Sequence, residues 1–325
     1  MTRYLHERKN WPRFRFSHKR LAARLASVRY RQGRLIGRME SLGPALRAEA
    51  TRLTLTEDVL RPGEADIDAA DMRAEPLTIA RLFAWHAALF AEPRQARGVV
   101  GAWRAGGPVP ASADPLDRAH IPPPAAERLD REMRGFLEWS NAASPLDPVL
   151  NAGVAHLWFA TLRPFDGGNF RIACALTDRA LARSEQGGER FYSLSAQMRV
   201  EQDAYAAALA AAQTGDLDIT PWLAWFLGCL DRALDAAELR LAPVLRKVRF
   251  WGAHAGDAFT ARQRAMLDRL LDGVEGRLTS SRWAGLTACS QDTALREIDD
   301  LLRRGILAKD AAGGRSTRYA LAETA

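Results

Sequence analysis

The residues best placed for chemistry lie between His156 and Cys174, in the run HLWFATLRPFDGGNFRIAC. Two apolar helical stretches meet there through a short loop that holds Pro164, Gly167 and Gly168. Asn169 opens the second helix, and Arg171 falls in its first turn. A helix N-terminus offers unpaired backbone N–H groups and the positive end of the helix dipole, so it attracts an anion. Glycines let phosphate oxygens approach that backbone closely. The residues describe a phosphate cradle. A Gly-rich turn between two helices is the plainer alternative, and spacing alone leaves both open.

Other nucleophiles and ligands give less. Cys174 lies near Arg171 in the early turns of the same helix, a setting that lowers a thiol pKa; a small buried residue is the alternative. His156, on an apolar helix, reads as a satisfied core histidine. His6, His18, His86, His120 and His254 show no metal-ligand spacing. No Ser–His–Asp or Cys–His set is visible locally. The three cysteines, Cys174, Cys229 and Cys289, are too few and too scattered for a disulfide framework or a Cys-rich zinc site.

The elements that must position this loop are helices. Leu21, Leu25, Val28, Leu35, Met39 and Leu42 follow a helix period, with Ser17 as N-cap and Gly43-Pro44 as stop. Further helices are expected from Pro44 to about Leu60, and over 76–90, 125–141, 147–159, 169–183, 200–214, 221–241 and 259–271. Residues 104–126, rich in Pro, Gly, Ala and Asp, read as a long irregular or hairpin-like segment. The tail changes character. A short helix after Thr279, a turn at Ala288-Cys289, a helix capped by Ser290 and stopped by Gly305, then ILAKDA and TRYAL around a Gly-Gly-Arg-Ser turn spell a winged helix-turn-helix.

Composition sets the class. The chain has 325 residues, 47% hydrophobic and 26% charged, enough to bury a full core. The net charge is +7, and residues 1–50 hold thirteen Lys and Arg against three Asp and Glu. Such a basic stretch serves nucleic acid or an acidic partner, or forms a solvated helix face. No run of about 18 apolar residues and no secretory signal is present, so a cytoplasmic protein without a membrane span is expected.

The loop resembles the active loop of the Fic family, which reads H-x-F-x-[DE]-G-N-G-R-x-x-R. The flanking AHLWFATL and LARSEQ–RFYSLSAQMR are similar to Fic-core helices. YLHERKNWP–FRF, RQGRLIGRMESLG, LTEDV, LFAWHAALF, GAWR, LDITPWLAWFL and GGRSTRY extend the likeness over nearly the whole chain. The resemblance implies a mainly α fold in three parts: an N-terminal helical extension (1–75), a Fic core (76–245) and a C-terminal winged helix-turn-helix (246–325).

Fic enzymes mostly transfer AMP from ATP to a protein hydroxyl, and the resemblance implies a loop altered for that task. The family's proton-accepting His is Arg163, and a guanidinium does not act as a base. The acidic residue that holds Mg²⁺ is Gly167, with Asp166 one position early. The second glycine is Phe170, whose ring is expected to occupy phosphate space, and the last arginine is Cys174. Pro164, Phe165, Gly168, Asn169 and Arg171 keep the family pattern. Tyr205 matches a family tyrosine beside the nucleotide base, with Ala206 where a second aromatic is common. The family's inhibitory helix falls at LRPGEADID, where Glu64 follows Leu60 by four positions and Pro62-Gly63 breaks the helix. The flap that docks a target strand, within 103–124, holds prolines at 108, 110, 115, 122, 123 and 124, which remove pairing donors.

The expectation is a Fic-fold protein without AMP transfer to protein, retaining an anion loop at Gly168–Arg171 with Arg163 as an added cation. The alternatives are a site simply plugged by Arg163 and Phe170, changed chemistry on a small anionic substrate, clamped by Arg163 and Arg171, or a DNA-binding regulator that uses the Fic core as sensor or dimer scaffold. The ligand is ATP or another phosphate-bearing molecule, without Mg²⁺. Homodimerisation and DNA are the macromolecular options. For DNA the candidates are Arg296, Arg315 and Arg318, opposed by Asp292, Glu297, Asp299 and Asp300.

Overall fold

The computed structural model describes residues 4–55, 76–90, 98–106, 116, 121–185, 190–273, 278–309 and 317–322. The region around Leu60 and Glu64, the prolines at 108, 110 and 115, and Arg315 lie outside them. Within the described residues, the chain divides into two compact units, 1–240 and 241–325.

The first unit is helical. Helix α1 (His18–Glu40) starts where Ser17 Oγ accepts the Arg20 N–H, and it buries Leu21, Val28, Leu35 and Met39. This is the stripe that the sequence period predicts. Helix α2 spans Pro44–Leu55. Helix α3 (Ile79–Leu89) is capped by Thr78. Helix α4 (Leu129–Asn141) follows a 3-10 turn at Ala126–Arg128. Helix α5 (Pro148–Leu162) has Asp147 as its cap and Pro148 in its first turn. Every residue from Val149 to Leu162 is buried, so α5 is the axis of the unit.

Helix α6 (Asn169–Ser184) packs along α5. Next come α7 (Leu194–Val200), α8 (Gln202–Thr214) and α9 (Thr220–Ala253). The sequence predicts a stop near Leu241, yet α9 continues through Pro243. Burial of Leu241 and Val244 outweighs the one donor that proline lacks. A core of Trp85, Leu89, Phe136, Phe159, Leu162, Phe165 and Ile172 joins α3 to α6, with Trp11, Phe14, Trp103 and Trp139 packed against it.

The basic N-terminal stretch is largely occupied inside this unit. Arg24 donates to the Ala224 carbonyl at 2.7 Å. Arg31 pairs with Asp231 at 2.6 Å and with Asp235, and Arg34 pairs with Glu238. The guanidinium row of α1 thus matches a carboxylate row on α9.

The second unit holds the last turns of α9, then α10 (Ala261–Leu271), α11 (Ser280–Thr287) and α12 (Gln291–Arg303). Ala288, left-handed at φ 49°, turns α11 into the Ser290 cap of α12. Strands β1 (Leu307–Lys309) and β2 (Tyr319–Leu321) pair antiparallel, with Lys309 opposite Tyr319. Met266, Leu267, Trp283, Ile298, Leu301 and Leu307 form its core. Among the described residues, no helix is long and apolar enough to cross a membrane.

Candidate functional site

Helix α5 delivers the chain to Arg163, its C-cap, at φ 39° and ψ 65°. A non-glycine residue in this left-handed region costs about 1 kcal/mol, so neighbours must hold it. Arg104 does so. Its Nε donates to the Arg163 carbonyl at 2.9 Å, and its backbone N–H donates to the Pro164 carbonyl at 2.9 Å. Its guanidinium also donates to the Pro124 carbonyl. The Arg163 side chain donates to the Ile121 carbonyl at 2.7 Å. Both arginines are about 5% exposed. Burial lowers the Arg104 pKa, with Asp166 and Glu127 opposing the shift and the Arg163 charge adding to it.

The rest of the loop is cross-braced. Phe165 is fully buried and stacks on His86, with ring centroids 4.1 Å apart. Asn169 closes the loop on itself: its Oδ1 accepts the Phe165 N–H at 3.0 Å, and its Nδ2 donates to the Phe165 carbonyl at 2.8 Å. Asp166 Oδ2 accepts the Val99 N–H at 2.9 Å. A Cβ at Gly98 (φ +103°) would sit 2.3 Å from that oxygen, so this approach requires glycine.

His86 joins three segments. Its Nδ1 accepts the Gly101 N–H at 3.0 Å, which leaves the proton on Nε2 to donate to the Gly167 carbonyl at 3.1 Å. Burial lowers its pKa, against the Gly167 hydrogen bond and the Asp166 charge. Gly168 is the N-cap of α6 at φ +72° and brings no capping side chain. A Cβ there would fall 3.1 Å from Leu89 Cδ1 and 3.3 Å from the Phe90 ring. The Ile172 N–H is the first to bond within the helix, to the Gly168 carbonyl at 3.1 Å. The amides of Asn169, Phe170 and Arg171 make up the first turn, at the positive end of the helix dipole.

The sequence-predicted residues separate into two groups. Arg163, Phe165, Asp166, Gly168 and Asn169 form the braced loop, and Arg171 lies half-exposed beside it. Phe170, Cys174 and Tyr205 are core residues, exposed by 1%, 2% and 0%. The Phe170 ring packs into the core. Its edge meets the His156 ring at 6.4 Å and the Tyr205 ring at 5.5 Å. Phe170 and Cys174, four apart on α6, share its inward face.

Tyr205 likewise has no exposed surface. Its hydroxyl donates to His156 Nε2 at 2.9 Å. His156 Nδ1 donates to Thr177 Oγ1 at 2.8 Å, and that hydroxyl donates on to the Ala173 carbonyl at 2.7 Å. The His156 ring stacks over Trp222 at 5.8 Å. Burial pushes its pKa down to about 3. This is the satisfied core histidine that its apolar helix predicts.

The residues present do not fit the bridging Mg²⁺ that the family resemblance implies. Gly167 offers no carboxylate and gives its carbonyl to His86, while Asp166 is turned to the Val99 amide. Among the described residues, no group of three His, Cys, Asp or Glu side chains could hold a metal ion. The sequence alone does not single out His86, Arg104 or Gly98. Their partners lie up to 81 residues away and are mostly backbone atoms, which leave no spacing signal. Of the residues read toward DNA, Arg296 is exposed on α12 and Arg318 is half-exposed before β2.

Comparison with known proteins matches residues 4–74 to a domain of unknown function (DUF4172) and residues 76–181 to the Fic/DOC family. The protein adenylyltransferase Fic of Nematostella vectensis is 30% identical over 119 residues, covering 36% of this chain. The match spans only 26% of that relative's length. A Fic family protein from Desulfovibrio desulfuricans G20 superposes with a TM-score of 0.51 at 18% identity, over 93% of this chain and 97% of that one.

Proposed function

We propose, from the match of residues 76–181 to the Fic/DOC family, that the chain is a Fic-fold anion-binding protein that does not transfer AMP to protein hydroxyls by the family's route. The observation that carries this reading is the setting of Arg163. At the C-cap of α5, where the family resemblance implies a proton acceptor, stands a permanently charged guanidinium that donates to the Ile121 carbonyl. Neither nearby imidazole substitutes for it. His86 and His156 each have both nitrogens committed, and burial disfavours the protonated form of each. Loss of a general base alone lowers a rate by about 10²–10⁴.

Support for the anion comes from the amides that open α6 at Gly168, with Arg163 and Arg171 as neighbouring cations. Seclusion of Tyr205 and Phe170 in the core favours a small phosphate or carboxylate over a stacked nucleobase. The test pairs two assays on the full chain. Titration calorimetry with inorganic phosphate and with ATP, each with and without Mg²⁺, is expected to give binding that Mg²⁺ does not strengthen. Incubation with labelled ATP and acceptor proteins is expected to leave every acceptor unlabelled. Robust AMP transfer, or binding that depends on Mg²⁺, refutes the proposal.

A further inference from the structure

Resting on the anion-binding reading above, we infer that His86 is the positioning residue of that loop. Its neutral imidazole ties the 98–101 turn to the Gly167 carbonyl, and a proton added to the ring releases the turn and weakens anion binding.

His86 lies in the last turn of α3, 1% exposed, and its ring is within 8° of parallel to the Phe165 ring. Gly101 offers the ring a backbone donor and Gly167 a backbone acceptor. Neutral imidazole with its proton on Nε2 satisfies both at once. Imidazolium sets an N–H against the Gly101 N–H in a site closed to water, where an unmade hydrogen bond is costly. The charged groups on the elements packed around the ring are Arg81 on α3, Arg104 after the turn, Arg163 and Asp166 in the loop, and Arg171 on α6. Asp166 favours the proton, and burial, the larger effect, opposes it, so the folded ring takes up its proton only below pH 6.5.

Burial does little to hold the turn. Val99 and Val100 are 47% and 38% exposed. Firm packing begins at Trp103, whose ring meets Phe83 at 4.5 Å and Phe165 at 5.2 Å, and at Arg104, whose backbone N–H donates to the Pro164 carbonyl. Between Gly98 and Gly101 the turn meets the loop through two hydrogen bonds, Val99 N–H to Asp166 Oδ2 and Gly101 N–H to His86 Nδ1. Loss of the second loosens the first. Asp166, two residues before Gly168, then gives up the amide that occupies its carboxylate, and a freed carboxylate at the loop repels an anion.

The experiment uses the full chain at pH 7.5 and pH 5, with calorimetric titration of sulfate, an anion that keeps its charge over this range. Peptide-resolved hydrogen exchange over 98–101 is read alongside, as the ratio of native chain to variant at each pH. An added positive charge by itself strengthens sulfate binding on acidification. Positioning predicts the reverse: the native chain binds sulfate about fivefold more weakly at pH 5, the size of one lost hydrogen bond, and its 98–101 turn exchanges faster than that of His86→Gln. The glutamine amide offers an acceptor and a donor and takes no proton, so its sulfate affinity does not fall with pH. His86→Phe keeps a ring over Phe165 but loses both hydrogen bonds, and binds sulfate at least about fivefold more weakly at pH 7.5, a loss that glutamine partly restores. Native-like exchange over α1 confirms that each variant is folded. Stronger sulfate binding by the native chain at pH 5, an equal fall in His86→Gln, or equal exchange over 98–101 in native chain and glutamine variant at both pH values overturns the proposal. Absence of sulfate binding at both pH values removes the anion reading instead, and the exchange comparison still decides whether His86 holds the turn.

Discussion

Acidification probes the imidazole at the centre of α5. In the fold His156 has no exposed surface, and its pKa is pushed down to about 3 from the ordinary 6.5. The unfolded chain takes up a proton near 6.5 and the folded chain does not. Below 6.5 the unfolded state therefore binds more protons, so stability falls as the pH falls, until the folded value near 3 is passed. Between pH 7 and pH 5 this amounts to about 2 kcal/mol. The assay is urea unfolding, followed by tryptophan fluorescence, of the native chain and of His156→Gln at both pH values. The variant starts lower at pH 7, because the Tyr205 hydroxyl and Thr177 lose their partner. Other titrating groups are common to both proteins and cancel in the difference. The native chain should lose about 2 kcal/mol more than the variant over this range. Equal losses, or a His156 resonance that titrates near 6.5, would refute the reasoning. The latter would also return a usable base to the helix that ends at Arg163.

Two further substitutions separate backbone demand from side-chain chemistry. Gly168→Ala places a Cβ at φ +72° against Leu89 and Phe90, and should cost about 1–2 kcal/mol, whereas Gly167→Asp meets only ordinary contact, at 3.7 Å from Phe90, and should change stability by less than about 1 kcal/mol; thermal melts that rank the two the other way would contradict this account of the loop. In the second unit, Trp283→Phe leaves Glu297 Oε2 without its indole donor and should destabilise that unit by about 1–3 kcal/mol, read as an earlier melting of α10–α12 by hydrogen exchange, and an unchanged exchange pattern would show that Arg262 alone satisfies the carboxylate.

Much of the local architecture was legible in the residues. The Ser17, Thr78 and Ser290 caps, the Gly305 stop and the period of α1 are local signals, carried by side chains that act within one or two turns. The loop between α5 and α6 was legible for the same reason, since Pro164, Gly168 and Asn169 act on their own neighbours. The helix expected over 221–241 runs on to Ala253, through Pro243, with Leu241 and Val244 buried.

The sequence by itself settled that a guanidinium stands at position 163 and that Gly167 brings no carboxylate to the loop. Covalent identity fixes both, whatever the packing. Only the tertiary structure decided which polar groups face one another: Arg104 bracing the Arg163 carbonyl, His86 reaching Gly167, and Phe170 and Tyr205 withdrawn around His156. It also decided that Glu297 turns inward, to the Trp283 indole and Arg262. Each of these depends on partners up to 81 residues apart and on which side of a helix is buried. Pairings at that distance are set by packing against the whole core, where burial makes an unpaired polar group costly, and no local pattern in the chain encodes them.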